Sequence, residues 1–97
     1  MTGSPHVILS VRAMEIISID GTDVTVKEVA RPNGDCRLLE TVEGRGYILE
    51  YLVSVGPYKI DIERFHHLTE QQTELFKAGH LQLAALAKEL EVAGELQ

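Results

Sequence analysis

The chain has no tryptophan, two phenylalanines and one cysteine in 97 residues. With so few large rings, aliphatic side chains must fill the core. In a chain this short that core is modest, with about 60–65% of the unfolded surface buried on folding. A single thiol, Cys36, rules out an intrachain disulfide and fits a reducing compartment. No apolar run approaches the ~18 residues of a membrane span. The opening stretch MTGSPHVILSV lacks the basic start and long apolar middle of a signal peptide. Neither membrane contact nor export is expected, and the expected location is the cytoplasm.

Basic residues are also scarce. Nine Lys/Arg stand against 15 Asp/Glu, a formal net charge of −6. Residues 1–60 carry −2 of this and residues 61–97 carry −4, so the last third is the acidic part. An acidic surface repels nucleic-acid phosphates, so direct nucleic-acid binding is disfavoured. It suits a basic protein surface, although the plainer reading is that the charge keeps the protein in solution.

Hydrophobic residues at 44% and charged residues at 25% are ordinary for a globular protein. The length supports one domain, here residues 6–97, after a disordered N-terminus of residues 1–5. From His6 the chain alternates like a strand through Val7, Leu9, Val11 and Ala13. The phase fails at Glu15 and returns at Ile17 and Ile19, which predicts a bulge or break near Met14–Glu15.

IISI, DGTD and VTVKEV then read as a hairpin. A two-residue Asp20-Gly21 turn sets Ile17 opposite Val24 and Glu15 opposite Val26. A four-residue Asp20–Asp23 loop sets Ile19 opposite Val24 and Ile17 opposite Val26. The second keeps four β-branched residues on one face and is preferred, because a buried face specifies register.

ARPNGD is turn chemistry, with Pro32 expected to end the strand. CRLLETV is open between strand and helical turn. Glu43–Gly46 reads as a turn, since it lacks the length and pattern of a phosphate loop. YILEYLVSV is a strand with Tyr47, Leu49, Tyr51, Val53 and Val55 on one face, and Gly56-Pro57 turns into a last strand, YKIDI.

Residues 69–96 contain no proline and are rich in Leu, Ala, Glu, Gln and Lys, which favours helix. Thr69 with Gln72 makes a capping box. Phe76, Gly79, Leu83, Leu86, Leu90 and Ala93 follow a 3-4-3-4-3 spacing, a heptad seam if the helix is continuous. Cap chemistry instead places Gly79 just past the end of a first helix, with a second starting near His80, and this is the preferred reading. The expected fold is therefore α+β: an antiparallel sheet of four to five strands, followed by one long or two short C-terminal helices on one face.

Chemistry-bearing groups are few. His66 and His67 with Asp61, Glu63 and His80 are the only candidate metal ligands, and Glu63-x-x-His66 occurs once where carboxylate-bridged sites need it twice. Two linker histidines at a helix entrance is the plainer reading, so no metal and no cofactor are expected. Cys36 next to Arg37 lacks any nucleophile signature.

The expected function is a small acidic, non-enzymatic protein–protein interaction module that self-associates as a homodimer. The candidate contact residues are Phe76, Gly79, Leu83, Leu86 and Leu90, with Glu70 and Glu74 beside them; an edge strand is the other candidate contact. A narrower form is an inhibitor or adaptor from a mobile element or phage, acting on a basic host-protein surface. The alternative is a small enzyme or ligand-binding domain with a pocket between sheet and helices.

Overall fold

The computed structural model describes residues 14–44 and 46–95. Five strands form one antiparallel sheet in sequence order: β1 (Met14–Ile19), β2 (Thr22–Asn33), β3 (Cys36–Thr41), β4 (Tyr47–Val55) and β5 (Ile60–His67). Two helices follow, α1 (Glu70–Lys77) and α2 (Leu83–Glu95), and pack against the sheet. This is the expected α+β order. The strand expected over residues 6–13 and the disordered end over 1–5 lie outside the described residues. No described helix is long and apolar enough to cross a membrane.

Strand alternation sorts the sheet into two faces. Cys36, Leu38, Tyr47, Leu49 and Tyr51 point toward the helices, where Leu83 and Ala87 of α2 complete a buried cluster. Phe76 of α1 packs on the same cluster and meets the Tyr47 ring edge-on at 5.1 Å. The opposite face carries a second buried group, Val26, Leu39 and Ile48, packed with Ile17, Ile19, Val24 and Phe65. CRLLETV is a strand because it contributes Leu38 to one cluster and Leu39 to the other.

The β1–β2 register corrects the preferred sequence reading. Ile17 pairs with Val24 and Glu15 with Val26, so the loop is the two-residue Asp20-Gly21 turn. Both turn residues have positive φ, 52° and 81°, as a type I′ turn requires. Glu15 keeps phase with Ile17 and Ile19, and β1 runs without interruption from Met14 through Glu15 to Ile19. The apparent cost of a carboxylate on an apolar face is met by Arg37, two strands away.

Two further boundaries move. Pro32 does not end β2, which runs to Asn33 through register shifts at Glu28/Ala30 and Ala30/Asn33. Bulges are where a strand tolerates proline's missing N–H. The turn falls at Gly34-Asp35 instead, closed by Asn33 Oδ1 accepting from the Asp35 and Cys36 amides at 2.8 and 3.1 Å. The last strand is 60–67 rather than 58–62. Residues 56–59 form a four-residue turn in which Lys59 N–H donates to Gly56 O at 3.2 Å, and Lys59 adopts φ 54°. ERFHH is therefore strand, not a lead into the helix.

The helical third breaks at Gly79. Thr69 Oγ1 accepts from Gln72 N–H at 3.1 Å while Gln72 Oε1 accepts from Thr69 N–H at 2.9 Å, which is the expected capping box. At the other end of α1, His80 N–H donates to Leu75 O and Gly79 N–H to Phe76 O, with Gly79 at φ 80°. That is a Schellman cap. The next helix starts at Leu83, three residues later than the expected His80. A side chain at Gly79 would meet nothing within 4 Å, so only the backbone opposes it. Gly79→Ala is expected to lose about 1 kcal/mol, near 4–8 °C in melting temperature. An unchanged melting curve would mean the turn does not hold the left-handed conformation.

Candidate interaction surface

The apolar residues of the 3-4-3-4-3 spacing do not form an outward seam. Leu83 is buried, and Phe76, Leu86 and Leu90 are half-buried, all on this chain's own sheet. Gly79 sits in the turn between the helices. The side chains expected as a contact with a second copy are thus engaged with the chain's own sheet. The heptad-like spacing arises because two separate helices each turn an apolar side to the same sheet face. Glu70 and Glu74 are exposed, and with Gln71 and Leu75 they line an open cleft of about 560 Å³ along α1.

The strongest electrostatic feature lies on the other face of the sheet. Arg37 projects from β3 between Glu15 of β1, Glu28 of β2 and Glu50 of β4. Its Nη1 donates to Glu15 at 2.7 Å and Glu28 at 3.2 Å, its Nη2 to Glu15 and Glu50 at 3.0 Å each, and its Nε to Glu50 at 3.2 Å. All five guanidinium donors are therefore used. Glu28 also accepts a forked pair from Arg31 at 2.7 and 3.1 Å. Hydrogen bonds from Arg37 hold the Glu15 carboxyl below the usual range, and those from Arg31 and then Arg37 do the same for Glu28. The Glu15 contacts, above all, push the Arg37 guanidinium still higher than its ordinary value.

This hub ties four strands together, and its charges are largely met internally. Glu15 is what fails the strand phase in the sequence. That interruption is the signal that could have marked it, but nothing local names Arg37 as its partner.

The candidate chemical groups resolve into structural roles. Burial pushes the Cys36 thiol up, with the charge of Asp35 adding to it, so the reactive thiolate is disfavoured. Gln72 Oε1 is a pure acceptor already taking the Thr69 amide, so His66 Nε2 must donate to it, at 2.9 Å. His66 thus braces the start of α1. His67 and Glu63 lie on the opposite sheet face from His66, because neighbours along a strand alternate. Glu63 and His66 therefore do not share the helix face that the i, i+3 spacing would need. Among the described residues no three His, Cys, Asp or Glu are grouped to hold a metal. Around Gly44 and Gly46 the chain makes a turn, with Thr41 N–H donating to Gly46 O at 3.1 Å.

Exposed apolar side chains concentrate at the outer strands instead. On the β4–β5 hairpin Tyr58 is 86% exposed, Ile60 60% and Ile62 38%; on β1, Met14 is 66% exposed and Ile16 70%. Ile60, Ile62, Met14 and Ile16 belong to the helix-side face, beyond the reach of the two helices. The hairpin's other face presents the exposed carboxylates of Asp61 and Glu63. The alternation of YKIDIE carries this pattern in the sequence, but not that the hairpin extends past its helical cover.

Compared with known protein families, curated proteins and solved structures, the chain matches none.

Proposed function

We propose that this protein is a non-enzymatic interaction module that engages a basic surface of another protein. The observation that carries this reading is the β4–β5 hairpin, where exposed isoleucines and a tyrosine stand beside exposed carboxylates. Large apolar side chains grouped at a surface and rimmed by polar residues mark interaction sites. The clefts beside Cys36, about 130 and 170 Å³, are smaller than the ~300–1,000 Å³ of typical ligand pockets, and the one of about 560 Å³ along α1 lies open on the surface. The test is affinity capture from a cell extract with the full chain and with an Ile60→Ser/Ile62→Ser variant. A protein retained by the parent chain, released by raised salt and lost with the variant supports the reading. Equal capture by both chains refutes a role for this surface.

Self-association through the outer strands is the second reading, favoured by exposed apolar residues on both β1 and β5. Light scattering at micromolar concentration separates the two. A mass near 10.8 kDa is that of the single chain, and twice that mass is expected for a dimer.

A further inference from the structure

We propose that β5 accepts a basic, extended segment of the partner protein as a sixth strand, one whose side chains alternate between basic and apolar. This rests on the interaction-module reading and assigns it a geometry. Among the described residues β5 is outermost on its side of the sheet, and its residues 60–64 are all exposed.

The backbone direction follows from the ladder. β4 and β5 pair without a register shift from Ile48↔His67 to Val55↔Ile60, and just beyond them Leu68 N–H donates to Tyr47 O at 3.0 Å. Hydrogen-bonded and non-hydrogen-bonded pairs alternate along an antiparallel ladder. His66, Arg64, Ile62 and Ile60 therefore bond inward to β4. The N–H and C=O groups of Asp61, Glu63, Phe65 and His67 point outward, away from the sheet.

An incoming strand that bonds to Asp61 and Glu63 sets its own side chains beside theirs on one face and beside Ile60 and Ile62 on the other. The first face favours Lys or Arg and the second favours apolar side chains. Asp61 is held in place by Ser54, whose hydroxyl donates to it at 2.6 Å. Arg64 shares the isoleucine face rather than that of the carboxylates, so it does not cancel this preference.

A second copy of the chain fits less well. A two-fold pairing of β5 with itself that keeps the faces matched, centred anywhere from residue 61 to residue 64, sets Asp61 against Asp61, Asp61 against Glu63, Glu63 against Glu63 or Arg64 against Arg64, depending on register. Like charges directly opposite are destabilising. A nucleic acid is repelled by the same carboxylates.

The probe is a labelled peptide of about eight residues alternating Lys and Val, against one alternating Glu and Val, each titrated into the full-length chain. Binding of the Lys–Val peptide alone is expected, with new hydrogen-exchange protection at the Asp61 and Glu63 amides. Glu63→Pro removes an outward N–H without touching the β4 ladder, so it should weaken binding by about tenfold or more at an unchanged melting temperature. Asp61→Lys/Glu63→Lys should reverse the preference toward the Glu–Val peptide, which keeps the proposal testable if the proline variant unfolds. Equal binding of both peptides, or no binding by either, overturns it. So does protection of those amides without peptide, which would mean a second copy occupies the edge. A partner captured equally by parent and Glu63→Pro chains would sink the sixth strand and leave the module reading standing. Loss of capture in neither hairpin variant would sink both.

Discussion

Leu49→Ala is expected to destabilise the protein by about 3–5 kcal/mol, within the range for a fully buried leucine. Leu49 has no exposed surface and lies on β4, between β3 and β5. It touches the cluster where Leu38 of β3 meets Leu83 and Ala87 of α2. Alanine there removes apolar burial and opens a cavity that a sheet bonded on both sides closes poorly. It also weakens the seat of α2. A domain of this size has a total stability of about 5–15 kcal/mol, so the loss is a large share. Urea denaturation measures it, and a change under about 1 kcal/mol would mean the helix does not rest on this residue. Leu86→Ala should cost less, because Leu86 is only half-buried.

Arg37→Met is expected to be comparably damaging at neutral pH, by about 3–5 kcal/mol, the range for removing one partner from a buried ion pair. The reason is the charge left behind. Glu28 and Glu50 are only about 16% and 15% exposed, and with Glu15 they would face one another without the shared guanidinium. Glu15 is 40% exposed, so water screens it and its share is small. Arg31 still pairs with Glu28, which limits the loss.

The pH dependence has a definite sign. Glu15 and Glu28 are held below the usual carboxylate range in the folded state. Their contribution is present above the unfolded value of about 4.3 and disappears as pH falls through the folded values. In the variant, the same carboxylates repel when ionised and are relieved by protonation. The stability gap between parent and variant should therefore be widest near neutral pH and narrow below about pH 4. Denaturation midpoints at the two pH values test this, and a gap of constant size would assign the effect to side-chain packing rather than to charge.

The hub also bears on how much of the fold was legible. The hairpin's position was plain from Asp20-Gly21, but its register was not. Pattern alone favours stacking four β-branched residues and treats Glu15 as an error. The carboxylate is tolerated because Arg37, 22 residues further along, reaches it from β3 with bonds of 2.7 and 3.0 Å. Likewise the spacing from Phe76 to Leu90 marks which residues are apolar, yet a single period fits both one helix facing a partner and two helices facing a sheet. The exposed carboxylates and isoleucines of β5 alternate visibly, but their exposure depends on where the two helices stop.

The sequence by itself determined the features whose causes are local. The capping box of Thr69 and Gln72, the Gly79 terminator, the position of the first hairpin at Asp20-Gly21 and the alternation of YILEYLVSV each depend on residues a few positions apart, so short-range stereochemistry specifies them. Tertiary structure alone decided the β1–β2 register, the pairing of Glu15, Glu28 and Glu50 around Arg37, and the exposure of the β5 edge. Each of those is set by groups distant in the chain, whose burial and charge are balanced only once the sheet has brought them together.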